Sequence, residues 1–337
     1  MNNFSITNQA HDFLARAFAD LERNNIAFDK HWHIDHLCFR TSSQENYLYT
    51  KKQFAGFSRL LIESEVNGRF ISTFKLKKPI VFDDWEVDLI EVPAPKKGKV
   101  IADGFEHFEV VCDLTFDEIK SRYNQCRFDD SGLAKNFNQE LEIIFDSFAL
   151  KFHHVSLESV INVEANHSVF SALKNSDILN ILKPFSPLVA GTFPLCVNVA
   201  GSDVDILISG DMSLAKGTLQ EKFSEHQDFK CGELTVEGES TLLVSFFYQG
   251  TAFEVFGQRT PSVKQRGYLH FLAEERLLKI GGVSFEKKVR EARMHGLKTE
   301  LAFAKALGLG GDPYDELLII QKKSNQYLKA LISDSRN

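Results

Sequence analysis

Three acidic residues in the second half of the chain have the types and spacing to hold a divalent cation. Asp203 and Asp205 lie in S-D-V-D-I-L-I, an Asp-x-Asp pair in an apolar run. Side chains at i and i+2 of a strand share a face, so the two carboxylates stand side by side while Val204 and Ile206 turn to a core. Close carboxylates repel and share a cation. Glu254 interrupts a second apolar run, T-A-F-E-V-F-G-Q, where an acid is disfavoured unless it is paired or holds an ion. About ten residues ahead of the Asp pair lies a small turn, Ala190-Gly191-Thr192.

A different chemistry is written in the first half. H-W-H-I-D-H-L-C-F-R and F-E-H-F-E-V-V-C each place an acid and a histidine at the head of an apolar strand. The pairs are Asp35-His36 and Glu106-His107. Imidazoles and a carboxylate converging from separate strands suit Zn, Mn, Fe or Ni, and an open position leaves room for a substrate oxygen. A bidentate oxygen ligand on such an ion is polarised toward an enolate or another anion. His31, His33 and His154 read as surface or satisfied core residues. Lys96, Lys97 and Lys99 read as a solvated turn.

The elements that must position these residues follow from periodicity. Ile6 to Asn25 reads as an amphipathic helix, with Phe13, Leu14, Phe18 and Leu21 on one face. Strands are expected at residues 34–40, 58–64, 69–75 and 85–92, with a helix over 46–54 after the first. The plan then repeats: strand 105–112, helix 116–125, strands 141–145 and 148–153. This predicts two βαβββ modules. From about residue 165 the spacing turns helical until Pro184 and Pro187. Beyond the Asp pair come a helix (213–223), strands at 229–236, 241–248 and 251–257, and helices over 269–279, 285–295 and 301–307. Gly308 to Pro313 breaks the run, and 314–331 closes the chain as one helix.

Composition sets outer limits. The chain has 337 residues, enough for two domains with full cores. A formal net charge of -7 argues against a general nucleic-acid binder, which carries a basic surface. The five cysteines are scattered and form no C-x-x-C, which speaks against a disulfide framework or a thiolate zinc site. No run approaches the roughly 18 apolar residues that span a bilayer. A cytoplasmic location is the expectation, without membrane association. Thirty Phe against three Met predict Phe-rich cores.

Two resemblances sharpen this reading. D-H-L-C-F-R, N-G-R-F-I-S-T-F-K-L, D-L-I-E-V-P-A-P, G-F-E-H-F-E-V-V and K-F-H-H-V-S-L-E-S-V-I resemble the YecM family, of the vicinal oxygen chelate superfamily. That resemblance implies a cupped sheet holding one divalent metal, with His36, Glu91, His107 and His153 as ligands. Glu158 or His154 is the alternative in the last place. V-A-G-T-F-P-L-C-V-N-V-A-G-S-D-V-D-I, F-E-V-F-G-Q and G-L-K-T-E-L-A-F-A-K-A-L-G-L-G-G-D-P-Y resemble an uncharacterised family of nucleotidyltransferase-like, polymerase-beta-type domains. It implies Mg²⁺ held by Asp203, Asp205 and Glu254, the last also a candidate base, and nucleotide phosphates on Gly191 and Thr192. One departure stands out. Many such transferases carry a basic residue shortly after the turn, and here that place is Phe193-Pro194-Leu195. Lys264, Arg266, Arg290, Arg293 and Lys298 are the alternative cations.

The expected fold is α+β. Paired βαβββ modules form a cupped mixed sheet over residues 1–165, and a nucleotidyltransferase-like α/β domain with a helical C-terminal part spans 166–337. The leading expectation is transfer of a nucleotidyl group from a nucleoside triphosphate to a hydroxyl or amine acceptor. A second is a metal-dependent isomerase, lyase or dioxygenase in the first domain with a nucleotide sensor behind it. A third is a non-catalytic ligand-binding or interaction protein. Self-association into a homo-oligomer is left open.

Overall fold

The computed structural model describes residues 3–66, 68–96, 98 and 101–335. Lys97 and Lys99 of the expected basic turn lie outside the described residues. The chain divides into two compact units. The first comprises residues up to Cys112, Phe116–Lys135 and Gln139–Leu157; the second comprises Asp113–Thr115, Asn136–Asn138 and the chain from Glu158 on.

The first unit opens with α1 (Asn3–Arg23), whose Ile6, Ala10, Phe13, Leu14, Ala17 and Leu21 form its buried stripe. The first module is β1 (His33–Arg40), α2 (Gln44–Ala55), β2 (Ser58–Val66), β3 (Arg69–Phe82) and β4 (Trp85–Pro93). The second is β5 (Gly104–Val111), α3 (Phe116–Arg122), β6 (Phe128–Asp129), β7 (Glu140–Ile144) and β8 (Ala149–His153). All eight strands form one sheet in the order β2-β3-β4-β1-β5-β8-β7-β6. Each module closes on a parallel pair, β1 with β4 and β5 with β8, and the modules meet through antiparallel β1 and β5. The repeat in sequence is therefore a pseudo-twofold in space.

Alternation assigns the two faces of this sheet. Phe39, Phe108 and Phe152 turn to the helical layer. They meet Phe54 of α2 at 6.1 Å, Phe13 of α1 at 6.3 Å and Tyr123 just past α3 at 6.1 Å. Each buried Phe contributes about 1.5–3 kcal/mol, so this aromatic layer fixes the register of β1, β5 and β8. The other face of the same strands carries His36, Cys38, His107, Glu109 and Lys151.

The second unit begins with α4 (Leu157–Ala165), α5 (His167–Asn175) and α6 (Ile178–Ile181). Its sheet uses β9 (Leu188–Ala190), β10 (Val204–Ser209), then, after α7 (Met212–Phe223), β11 (Lys230–Val236), β12 (Glu239–Tyr248) and β13 (Thr251–Gln258). The order is β11-β12-β13-β10-β9, with β10 and β13 parallel. Val204, Ile206, Ile208, Val244, Phe246, Phe253 and Val255 form its core with α5 and α7. Asp203 precedes β10 instead of lying within it, because the turn at Gly201-Ser202 delays the strand.

The helical part is α8 (Arg266–Met294), α9 (Thr299–Leu307), α10 (Pro313–Gln321) and α11 (Asn325–Asp334). Two expected helices merge into α8, with a single break at Gly282, whose φ of 61° no other residue type adopts readily. The expected closing helix is instead split. The Ser324 side chain accepts from Tyr327 N and starts α11, and buried Arg276 donates to the carbonyls of Gln321 and Lys323 at 2.7 Å. Those two contacts stabilise the break. No helix among the described residues is long and apolar enough to cross a membrane.

Candidate metal and carboxylate sites

The acid-histidine dipeptides acquire their meaning from two β-bulges. Ile34 pairs with Val110 and His36 with Glu109, so Asp35 is an extra residue in β1. Cys38 pairs with His107 and Phe39 with Phe105, so Glu106 is an extra residue in β5. A bulge re-aims its side chain, and each acid swings onto its own neighbour. His36 Nδ1 lies 2.9 Å from Asp35 Oδ2, and His107 Nδ1 lies 2.7 Å from Glu106 Oε2. A carboxylate on Nδ1 orients an imidazole and leaves Nε2 as the outward ligand atom. The Nε2 atoms of His36 and His107 are buried and have no hydrogen-bond partner among the described residues.

Cross-strand register completes the cup. One row runs Glu91, Cys38, His107, Ala149; the next runs Leu89, His36, Glu109, Lys151. His36, Glu91 and His107 each bring a ligand atom within 4.8 Å of the others. Cys38 forms a further such group with Glu106 and His107. His153 is not brought into the group with Glu91 and His107. It pairs with Val111, one row beyond Lys151, and groups with Asp35 and His36 instead. Two residues of strand are worth about 6.6 Å, which accounts for the displacement. Of the alternatives, His154 packs its ring against Phe116 at 4.4 Å, and Glu158 stands on helix α4 in the second unit.

Two residues at the centre went unread in the sequence. Glu109 Oε1 lies 3.5 Å from His36 Nε2, 3.4 Å from His107 Nε2 and 3.2 Å from Lys151 Nζ. Lys151 also lies 3.2 Å from Glu140 Oε1. The available signal was H-x-E, which puts Glu109 on the face of His107. Charge follows contact. Burial would lower His36, but Glu109 and Asp35 raise its pKa to about 10. His107 rises well above the ordinary imidazole value, burial being outweighed by Cys38 and Glu106. Burial would raise Glu109, yet Lys151 and His36 hold it well below the usual carboxylate range.

In the second unit, Asp205 of β10 stands directly opposite Glu254 of β13 and, on its other side, opposite Ala190 of β9. Asp203, Asp205 and Glu254 bring ligand atoms within 4.8 Å of one another. Gly191 follows β9 at φ 73°, and a Cβ there would collide with Asp205 Oδ2. The glycine thus makes room for the carboxylate as well as the turn. Thr192 is 5% exposed, and its Oγ1 has no hydrogen-bond partner among the described residues. Burial, then Asp203 and Glu254, push Asp205 well above the usual carboxylate range, and burial with Asp203 raises Glu254. Acids forced together in this way fit a divalent cation, which removes the repulsion.

The structure also sorts the candidate cations. Arg266 is committed to Glu237 and Asp315, and Arg290 to Glu286 at 2.7 Å. Arg293, near the end of α8, places Nη2 3.5 Å from Ser202 Oγ, next to Asp203, and its charge lowers Asp205. Lys298, at the start of α9, lowers Glu254. Glu274 and Glu300, which the sequence did not single out, lie in the same electrostatic neighbourhood. Burial and Glu300 push Glu274 well above its ordinary value.

The class is therefore a two-unit α+β protein: a cupped sheet of paired βαβββ modules, and a five-stranded mixed sheet bearing three acids. Residues 2–164 match the family model described as YecM protein, and residues 171–320 match one described as a domain of unknown function, DUF4269. An uncharacterised protein of Haemophilus influenzae is 38% identical over 81 residues, covering 24% of this chain and 42% of that protein. The chain thus spans less than half the length of that relative. Protein YecM of Escherichia coli is 25% identical over 148 residues, covering 39% of this chain and 77% of that one. Among solved structures, a structural-genomics protein matches at 23% identity and TM-score 0.40, covering 46% of this chain and 89% of its own. The Cid1 poly(U) polymerase matches at 14% identity and TM-score 0.30, covering 49% and 50%. The strand orders above, not these similarities, define the fold.

Proposed function

We propose that the second unit binds a Mg²⁺–nucleoside triphosphate and transfers its nucleotidyl group to a hydroxyl or amine acceptor, while the first unit holds a separate divalent metal. The observation that supports transfer is the Asp205–Glu254 register pair with Asp203 beside it, three acids within 4.8 Å on adjoining strands. Asp203, Asp205 and Glu254 hold the cation, and Glu254 is also the candidate base. When bound, Mg²⁺ neutralises phosphate charge and favours departure of pyrophosphate. Thr192 offers phosphate oxygen its buried hydroxyl, which has no hydrogen-bond partner among the described residues. In the first unit, His36, His107 and Glu91 hold Zn, Mn, Fe or Ni, with Asp35 and Glu106 fixing the imidazoles. Calorimetry tests the main reading. Asp203→Ala with Asp205→Ala is expected to abolish Mg²⁺-dependent nucleotide binding, and unchanged binding would sink it.

A second reading places the chemistry in the first unit, as an isomerase, lyase or dioxygenase acting on a small oxygen-rich molecule. Phe193-Pro194-Leu195 after Thr192 favours it, since none of those three residues is basic. Activity that needs a transition metal and ignores Asp203→Ala would select this alternative.

A further inference from the structure

The pseudo-twofold makes a demand on the metal cup that the chain does not meet. His36 and Glu91 belong to the first module. Cys38 pairs with Glu91 on one side and with His107 on the other. In the second module His107 is the counterpart of His36, and Glu109 is the counterpart of Cys38. Glu109 pairs with Lys151 just as Cys38 pairs with Glu91. Lys151 therefore holds the place that corresponds to Glu91. An ammonium that accepts no metal stands where symmetry asks for a fourth ligand.

Glu109 makes good the loss. Its Oε1 lies 3.5 and 3.4 Å from the His36 and His107 Nε2 atoms. Neither nitrogen has a hydrogen-bond partner among the described residues, so these contacts do not satisfy the two rings. With metal–ligand bonds of about 2.0–2.1 Å, ligand atoms on a tetrahedral ion are about 3.3–3.4 Å apart. The two distances from Oε1 to the Nε2 atoms, 3.5 and 3.4 Å, are close to that edge. Lys151 Nζ, 3.2 Å from Oε1 and 3.2 Å from Glu140 Oε1, tethers the carboxylate in this position.

We infer that Glu109 is the fourth protein ligand of the cup metal, completing His36, Glu91 and His107, and that Lys151 has given up the fourth-ligand place to position it. His153, whose Nε2 lies 3.5 Å from Asp35 Oδ2 and 3.8 Å from Glu109 Oε2, is assigned outside the set, beside Asp35. The inference rests on the metal-cup reading above, and one titration series separates the two. Co²⁺ and Zn²⁺ binding to the full chain is measured by calorimetry and by the visible Co²⁺ spectrum. The variants are His36→Ala, Glu109→Gln, His153→Ala, Lys151→Glu and Glu109→Gln with Lys151→Glu. Circular dichroism checks that each is folded.

Glu109→Gln is expected to weaken binding more than about tenfold and to change the Co²⁺ spectrum, a larger effect than outer-sphere residues usually cause at their lower limit. His153→Ala is expected to match wild type. Lys151→Glu restores a carboxylate at the symmetric place, so the double variant is expected to recover affinity over Glu109→Gln. Wild-type affinity and spectrum in Glu109→Gln, with loss in His36→Ala, would overturn the Glu109 assignment alone. A double variant no better than Glu109→Gln would overturn the role given to Lys151. Full metal binding by His36→Ala would overturn the cup itself.

Discussion

Asp205 and Glu254 face each other at one register position of the parallel pair β10–β13. Two acids in that relation repel, and both are pushed above the ordinary carboxylate range, first by burial and then by neighbouring acids. A pair built this way gains stability from a cation and loses it when both are ionised without one. Asp205→Asn is expected to raise the melting temperature of the metal-free protein, by roughly 1 kcal/mol of stability. Mg²⁺ is expected to stabilise wild type, and the substitution is expected at the same time to remove that stabilisation. Calorimetric melting with Mg²⁺ and with EDTA reads both effects. A variant that melts with wild type under both conditions would show that the pair is not under strain.

Gly191 is tied to the same carboxylate. Its φ of 73° favours glycine, and a Cβ would meet Asp205 Oδ2. Gly191→Ala is expected to cost about 1–3 kcal/mol of stability in the second unit. Gly191→Ala with Asp205→Gly removes the clash and is expected to recover part of that loss, leaving only the cost of the backbone angle. Urea unfolding of both variants distinguishes crowding from backbone strain.

His36 supplies a pH dependence of the opposite unit. Its folded pKa is raised to about 10, burial being overcome by Glu109 and Asp35, against about 6.5 when unfolded. A raised imidazole pKa stabilises the fold fully below the unfolded value and loses that contribution as pH climbs through the folded one. Metal-free protein is therefore expected to lose stability between about pH 6.5 and 10. His36→Gln is expected to flatten this slope in a urea-denaturation series across the window. A slope unchanged by the substitution would place the proton elsewhere.

Much of this was legible beforehand, for identifiable reasons. The paired acid-histidine words announced two equivalent strands, and the structure turned each into a bulge that aims the acid at its own histidine. Glu254 was visible as a charge in an apolar strand. His153 and Lys151 were not separable, because a two-residue choice of register moves the residue by a full row and only β5–β8 pairing decides it. Glu109 was hidden within a strand whose other face, Phe108 and Val110, is wholly apolar. The split at Ser324 depended on Arg276, 48 positions earlier in the chain, reaching two freed carbonyls. Local pattern carries no record of such a partner.

Arg293 and Lys298 are the cations placed to fill the gap left by Phe193-Pro194-Leu195. Arg266 and Arg290 are spent on carboxylates, whereas Arg293 reaches Ser202 beside Asp203 and Lys298 acts on Glu254. If these two supply the missing phosphate charge, each substitution should weaken the triphosphate more than the monophosphate, because charge contacts scale with the phosphates engaged. Arg293→Gln and Lys298→Gln are each expected to lower triphosphate affinity by about tenfold, or about 1.4 kcal/mol. Arg290→Gln, drawn from the same helix, is expected to leave it within about twofold. Calorimetry with triphosphate and monophosphate in the presence of Mg²⁺ measures the contrast. Equal losses for both nucleotides would assign Arg293 and Lys298 to the nucleoside or to packing between α8 and α9 instead of to phosphate.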